Sequence, residues 1–253
     1  MNIFQYLQTV RIWKKSFQFG AFLTLLIFII GFNCVVSLAQ TKICTEFSDS
    51  GYELAGKTNL FWKQRKLKIR FLNGEEYFQN KVQTISSEWS LYANIKFEFV
   101  KQEPSDARIS FNSGGSWSYI GNSAEDVSKN KPTMNFGWFD KNTTEEESRR
   151  VILHEFGHLL GFIHEHQSPK SEINWNKDAV YKYYDDKFGW SRRLTYENIL
   201  KKYSKTETQF TTYDRLSIMH YSIPAELILS GKTVGWNTDL SENDKAFAKK
   251  IYR

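Results

Sequence analysis

The chain has 253 residues, of which 41% are hydrophobic and 25% are charged, and its formal net charge is +6. This composition supplies enough apolar material for the core of one medium-sized domain, and no internal repeat or low-complexity stretch is visible. The positive charge is mild and forms no basic stripe, so we expect no nucleic-acid partner.

The first 39 residues have the layout of a signal peptide. They contain three basic residues and no acidic one, then an apolar run over Ala21–Phe32, then small residues at Ser37 and Ala39. We therefore predict export and cleavage before Gln40. Loss of three of the 34 basic residues would leave 31 against 28 acidic ones, a net charge of about +3. The alternative is a membrane anchor over Ala21–Ala39, since a bilayer-spanning helix needs about 20 residues.

Residues 40–59 are polar and show no sustained period, which predicts a short pro-segment or leader ahead of a domain over residues 60–253. Five later stretches alternate apolar and polar residues and predict strands: Leu67–Leu72, Ile95–Val100, Ala107–Phe111, Trp117–Gly121 and Thr133–Gly137. Between the first two, apolar residues recur at helical spacing over Glu75–Tyr92, which predicts a helix with one buried face.

Thr144 followed by Glu147 is a capping-box signature and predicts the start of a second helix. Beyond it the sequence predicts helices and no further strands: Asn176–Asp186, Thr195–Tyr203 and a final helix capped by Ser241. These elements indicate an α+β fold. Its predicted parts are a mixed five-stranded sheet backed by two helices, followed by a mostly helical or irregular C-terminal lobe.

The second predicted helix carries the pattern H-E-x-x-H-x-x-G-x-x-H, formed by His154, Glu155, His158, Gly161 and His164. Residues four apart lie on one helix face, so His154 and His158 can bind the same metal ion. Glycine tolerates a positive φ, so Gly161 can turn the chain and bring in His164 as a third ligand. Three protein ligands and a water predict an open, catalytic site for one zinc ion.

The distribution of histidine favours a metal site over scattered structural histidines. The chain has five histidines, and four of them fall within the sixteen residues Val151–His166. The fifth, His220, lies in a second motif, Ser217–Tyr221, which reads S-I-M-H-Y.

Together the two motifs resemble the astacin family of metzincin proteases, whose Met-turn has the form S-x-M-H-Y. The resemblance extends from about Leu60 to the end of the chain. The segments His164–Pro169 and Leu240–Lys245 look like those of bacterial secreted members. The resemblance implies a metzincin-like (zincin) two-lobe catalytic domain.

The resemblance also implies a role for each residue that matches a family motif. His154, His158 and His164 would bind zinc. Glu155 would be the general acid and base that acts on a zinc-activated water. Met219 would form an apolar floor under the metal. Tyr221 would ligate zinc in the resting enzyme and then stabilise the oxyanion.

Two further roles follow from the resemblance. Glu165 matches a glutamate that pairs with the buried mature N-terminus. Trp117, Ser118 and Tyr119 occupy the place of an edge strand that binds extended substrate through main-chain hydrogen bonds. From the sequence alone, an ordinary edge strand is an equal alternative for these three residues.

The sequence departs from animal astacins in its N-terminal segment and after the third histidine. Gln167-Ser168-Pro169 replaces an Arg- and Asp-containing run, and no aspartate-switch motif is visible between Gln40 and Leu60. Cys44 would be the only cysteine of the mature chain, which excludes an internal disulfide. Its thiolate could plug the zinc before activation, or it could be an incidental or intermolecular thiol.

We therefore predict a secreted, monomeric zinc endopeptidase that hydrolyses proteins or peptides and has no stable membrane partner once the signal is cleaved. The alternative is a catalytically silent zinc-binding or adhesion module on the same fold. The intact Glu155 favours the enzyme, because a degenerate module usually loses this base.

Overall fold

The structure is a computed structural model that describes Cys44–Phe47, residues 60–205 and residues 211–253. The predicted signal peptide, and the leader apart from Cys44–Phe47, lie outside the described residues. Within the described part of the chain, no helix is long and apolar enough to cross a bilayer.

A six-stranded mixed sheet forms one layer of the fold. Its strands are β1 (Cys44–Phe47), β2 (Lys66–Phe71), β3 (Lys96–Val100), β4 (Ala107–Ser110), β5 (Ser116–Tyr119) and β6 (Met134–Asn135). The spatial order is β1-β5-β6-β4-β2-β3. Neighbouring strands are parallel except for the β5–β6 pair, which is antiparallel. The five predicted strands are confirmed, with β6 shorter than expected.

Strand β1 is an addition to the five predicted strands. It lies in the stretch that the sequence showed to be polar and without a period, and it pairs in parallel with β5, Thr45 opposite Trp117. Four residues are too few for an alternation to stand out from the sequence, and the partner strand lies about 70 residues away. The long-range pairing therefore determines this strand.

Two helices pack on the sheet, as predicted. Helix α1 (Glu76–Ser86) continues as a 3₁₀ turn over Ser87–Leu91, and α2 (Glu145–Leu159) starts at Thr144. The hydroxyl of Thr144 accepts a hydrogen bond from the Glu147 backbone N–H, which confirms the predicted cap.

Helix α2 is the central element of the domain. Every residue from Arg150 to Leu159 is buried, so this helix has neighbours on all sides. The Phe97 ring of the sheet meets the Phe156 ring edge-on at 5.0 Å between centroids. The indole N–H of Trp89 donates to the Leu153 carbonyl at 3.0 Å. These contacts hold the helix that carries the metal motif.

The C-terminal lobe contains α3 (Lys177–Phe188), α4 (Arg192–Thr195) and α5 (Glu242–Ile251). Helix α4 starts three residues before the predicted one and continues as a π turn over Tyr196–Leu200. The prediction of no further strands is wrong. A small antiparallel sheet pairs β7 (Asn174–Trp175) with β8 (Ile228–Ser230), and strands this short show no period in the sequence.

Candidate metal centre and active site

The chain turns sharply after α2 and brings a third histidine beside the two on the helix. The helix ends at Leu159, and Gly161 has a φ of +87°. A Cβ atom at Gly161 would lie 2.8 Å from Cδ1 of Phe61, so only glycine fits this turn. The predicted role of Gly161 is confirmed. Beyond it, the ring of His164 lies 4.7 Å from that of His158 between centroids.

Backbone carbonyls determine which nitrogen of two imidazoles carries the proton. The Nδ1 atom of His154 lies 2.8 Å from the Ile218 carbonyl, and Nδ1 of His158 lies 2.8 Å from the Phe162 carbonyl. A carbonyl only accepts, so each Nδ1 must donate and each Nε2 presents a lone pair. Such carbonyl partners are usual behind metal-binding histidines.

The three Nε2 atoms converge with the spacing of zinc ligands. Nε2 of His164 lies 3.3 Å from Nε2 of His154 and 3.1 Å from Nε2 of His158. Nitrogens about 2.05 Å from a tetrahedral zinc ion would be about 3.3 Å apart. Among the residues that the structure describes, these three form the one group whose ligand atoms all approach within 4.8 Å.

Protons are less suited than a metal ion to occupy the lone pairs of these histidines. Burial, together with the neighbouring imidazoles, lowers the pKa of His154 well below its ordinary 6.5. Burial likewise lowers the pKa of His164 to about 3. The rings of His154 and His164 are therefore neutral at physiological pH, and converging lone pairs on the ligand nitrogens repel one another unless a cation lies between them. The residues present fit a zinc ion.

Glu155 follows the first ligand on α2 and is fully buried. Consecutive helix residues point about 100° apart, so Glu155 lies beside the face formed by His154 and His158. A carboxylate at this place can act on a water next to the metal without being a ligand.

Met219 packs directly against α2. A Cβ atom at Gly157 would lie 2.3 Å from the Met219 Sδ, so the absence of a side chain at Gly157 makes room for the thioether. Met219 is buried, and its carbonyl accepts the Glu165 backbone N–H at 3.0 Å. Gly157 occupies an unspecified position of the zinc motif, so the motif alone did not single it out.

The ring of Tyr221 packs against two histidine rings that also contact each other, with 5.3 Å between the centroids of His164 and His166. Its centroid is 4.2 Å from that of His164 and 4.6 Å from that of His166, which it stacks at an interplanar angle of 27°. His166 is itself buried, and its Nε2 lies 3.0 Å from the Asn198 carbonyl. His166 lies outside the zinc motif, so the motif predicts no role for it, although it belongs to the histidine-rich stretch Val151–His166.

Comparison with known proteins identifies the family. The family model described as Astacin, a peptidase family, matches residues 55–253. The chain belongs to the astacin family. It is therefore a zinc metalloendopeptidase whose cofactor is zinc and whose substrates are proteins or peptides. No curated protein sequence matches this astacin-family chain.

Solved structures support the same fold. One structure of myroilysin is 42% identical, with a TM-score of 0.76 over 78% of this chain and 98% of that one. A second structure of myroilysin is 40% identical, with a TM-score of 0.65 over 85% of this chain and 92% of that one. High choriolytic enzyme 1 of the medaka fish Oryzias latipes, a hatching enzyme zinc-protease, is 18% identical, with a TM-score of 0.51 over 79% of this chain and 98% of that one. At this identity the likeness is evidence for the fold only.

In this astacin-family domain, Trp117, Ser118 and Tyr119 lie on β5, which runs beside α2. Ser118 and Tyr119 are buried and Trp117 is half-buried. The residues predicted to bind substrate thus lie next to the zinc helix. The outer edge of β5 is paired with β1.

Glu165 borders a cavity behind the zinc site. Its carboxylate accepts the Asp214 backbone N–H at 2.9 Å, and burial raises its pKa to about 8. Asp214 and Asp244 also line this cavity, and no lysine or arginine is among its lining residues in the described chain. The cavity therefore has the electrostatics to receive a positive group.

Proposed function

We propose that this zinc metalloendopeptidase hydrolyses peptide bonds with Glu155 as general acid and base and Tyr221 as a donor to the oxyanion. The observation that carries the proposal is the convergence of three buried imidazoles, two of them on α2, beside a glutamate that is buried on the same helix. The packing of Tyr221 on His164 supports its participation at the same centre.

Each residue would contribute one step of the reaction. His154, His158 and His164 would hold the ion, and zinc, when bound, lowers the pKa of its water toward about 7 and polarises the scissile carbonyl. Glu155 accepts the proton of the attacking water and returns it to the leaving amine. The phenol of Tyr221 donates a hydrogen bond to the developing oxyanion.

Casein hydrolysis with removal and return of zinc tests the function. We expect activity that a chelator abolishes and that added zinc restores. Protein that holds one zinc ion but cleaves neither casein nor a peptide mixture would favour the silent zinc-binding module.

The leader is proposed to inhibit the enzyme by covering its substrate edge. Strand β1 pairs with β5, so it uses the main-chain groups that an extended substrate would need. Protein that starts at Leu60 should therefore be more active than protein that starts at Gln40. Equal activity of the two forms would contradict this role.

Two mechanisms of inhibition can be separated at Cys44. If its thiolate binds the zinc, Cys44→Ser should activate the form that starts at Gln40. If the strand pairing alone blocks the cleft, that variant should remain as inactive as its parent.

We also propose that the exported protein is a soluble monomer released by cleavage before Gln40. The charge, apolar run and small residues of the first 39 positions support this. N-terminal sequencing and size-exclusion chromatography of protein from the medium test it. Membrane-bound protein that retains Ala21–Ala39 would favour the anchor instead.

Glu165 is proposed to pair with the mature N-terminal amine. The acidic cavity that it borders supports this pairing, because an amine would neutralise a buried carboxylate. Glu165→Gln should therefore lower the Tm of the processed form more than that of the unprocessed form. An equal loss in both forms would contradict the pairing.

A further inference from the structure

The carboxylate of Asp244 reaches from the C-terminal helix to the Met-turn. Asp244 belongs to the capping box of α5, in which its own N–H donates to the Ser241 hydroxyl. Its side chain also binds outside that helix. One oxygen accepts the Ser217 hydroxyl at 2.7 Å, and the other accepts the backbone N–H of Ile218 at 2.8 Å and of Ser241 at 2.9 Å. Asp244 is 8% exposed, so these bonds are shielded from water.

Hydrogen bonds continue from Asp244 to a zinc ligand. The Ser217 hydroxyl, which donates to Asp244, accepts the Met219 backbone N–H at 3.1 Å. The same peptide unit presents the Ile218 carbonyl, which accepts Nδ1–H of His154 at 2.8 Å. The chain of donors and acceptors therefore runs from His154 through one peptide and one hydroxyl to a buried carboxylate.

The direction of these bonds has a consequence for the metal ligand. Each group donates toward the carboxylate, so the negative charge polarises the whole chain in one sense. A more polarised Ile218 carbonyl is a better acceptor for His154. A stronger bond at Nδ1 fixes the ring and makes Nε2 a better donor to a metal ion.

We propose that Asp244 is a positioning residue that holds the Met-turn in place and, through Ser217 and the Ile218–Met219 peptide, orients His154 for zinc binding. This role rests on the zinc site of the proposed function and not on the proton transfer assigned to Glu155. Measurement of zinc affinity therefore separates the two claims, because loss of Glu155 chemistry would leave the affinity unchanged.

Two substitutions interrupt the chain at different points. Asp244→Asn keeps an oxygen for the two backbone donors but removes the charge and the acceptor for Ser217. Ser217→Ala leaves the carboxylate and removes the link to the Met219 N–H. Ser241→Ala is the matched control, because it removes the α5 cap and a hydrogen bond to Asp214 but leaves the bonds from Asp244 to Ser217 and Ile218 in place.

The readouts are the zinc dissociation constant of the full chain, measured by chelator competition, and the visible spectrum of the Co²⁺-substituted protein. We expect Asp244→Asn and Ser217→Ala each to weaken zinc binding about 10- to 100-fold and to change the cobalt spectrum. Their double variant should be little weaker than either single one, because both interrupt one chain. Ser241→Ala should lower the Tm and leave the zinc affinity within about twofold.

Parental zinc affinity in folded Asp244→Asn or Ser217→Ala would overturn the proposal. An equal loss in Ser241→Ala would also overturn it, because the effect would then come from α5 stability. If Asp244→Asn does not fold, Ser217→Ala alone decides.

Discussion

Replacement of Gly157 by alanine tests the packing of the Met-turn on the zinc helix. In an exposed helix the change would stabilise the protein by up to about 1 kcal/mol, because alanine is the better helix former. Here the new Cβ would lie 2.3 Å from the Met219 Sδ, whereas ordinary contact begins at 3.4 Å. Met219 or the helix must therefore move by about 1.1 Å.

We expect the clash to outweigh helix propensity. Overpacking of a close-packed core costs about 1–3 kcal/mol. A domain of this size loses about 2–4 °C in Tm for each kcal/mol. Thermal unfolding of the zinc-loaded protein should therefore show a Tm lower by several degrees for Gly157→Ala.

A double-mutant cycle assigns the cause. In a Met219→Ala background the thioether is absent, so Gly157→Ala should be neutral or stabilising. A Gly157→Ala protein with a raised Tm, or one whose loss persists in the Met219→Ala background, would refute the packing argument.

Three further predictions concern the phenol, the turn and a surface ion pair. Tyr221→Phe should keep the ring packed on His164 and His166 and keep the zinc content, but lower kcat about 10²- to 10³-fold through loss of the oxyanion donor. An unchanged kcat would contradict that role. Gly161→Ala should unfold at lower urea concentration, because φ is +87° and Phe61 blocks the space; an unchanged midpoint would contradict this. Asp239 has a pKa below its ordinary 3.8 because Arg149 donates to it. Its contribution to stability is therefore present above about pH 4 and lost as the pH falls through the folded pKa. Asp239→Asn should cost less than about 1 kcal/mol at pH 7, because Asp239 is largely exposed, and nothing near pH 2 in urea titrations. A difference that grows toward low pH would contradict this account.

The local part of the site was predictable from the sequence. Helical spacing places His154 and His158 on one face, and a glycine is the residue that permits the turn to His164. These statements involve about ten consecutive residues, so backbone geometry alone supports them. The structure agrees with both statements: the Nε2 atoms of the three histidines converge, and Gly161 has a positive φ.

The supporting contacts were not predictable, because they join distant parts of the chain. The backbone carbonyl of Ile218 accepts the hydrogen bond from His154. Every residue type has such a carbonyl, so the identity of residue 218 does not predict this contact. Asp244 lies three residues after the predicted cap Ser241, and its bonds to Ser217 and Ile218 depend on how α5 docks. The need for a glycine at position 157 could not be predicted, because it depends on the position of the Met219 side chain.

Zinc content and peptide hydrolysis of Glu155→Gln, measured beside the parent enzyme and His158→Ala, test the central claim most directly. The account predicts one zinc ion in the parent and in Glu155→Gln, with kcat/KM lower by several orders of magnitude in the latter. His158→Ala should lose the zinc itself, because it lacks one of three ligands. Glu155→Gln protein that holds zinc and cleaves peptide at the parental rate would contradict the account.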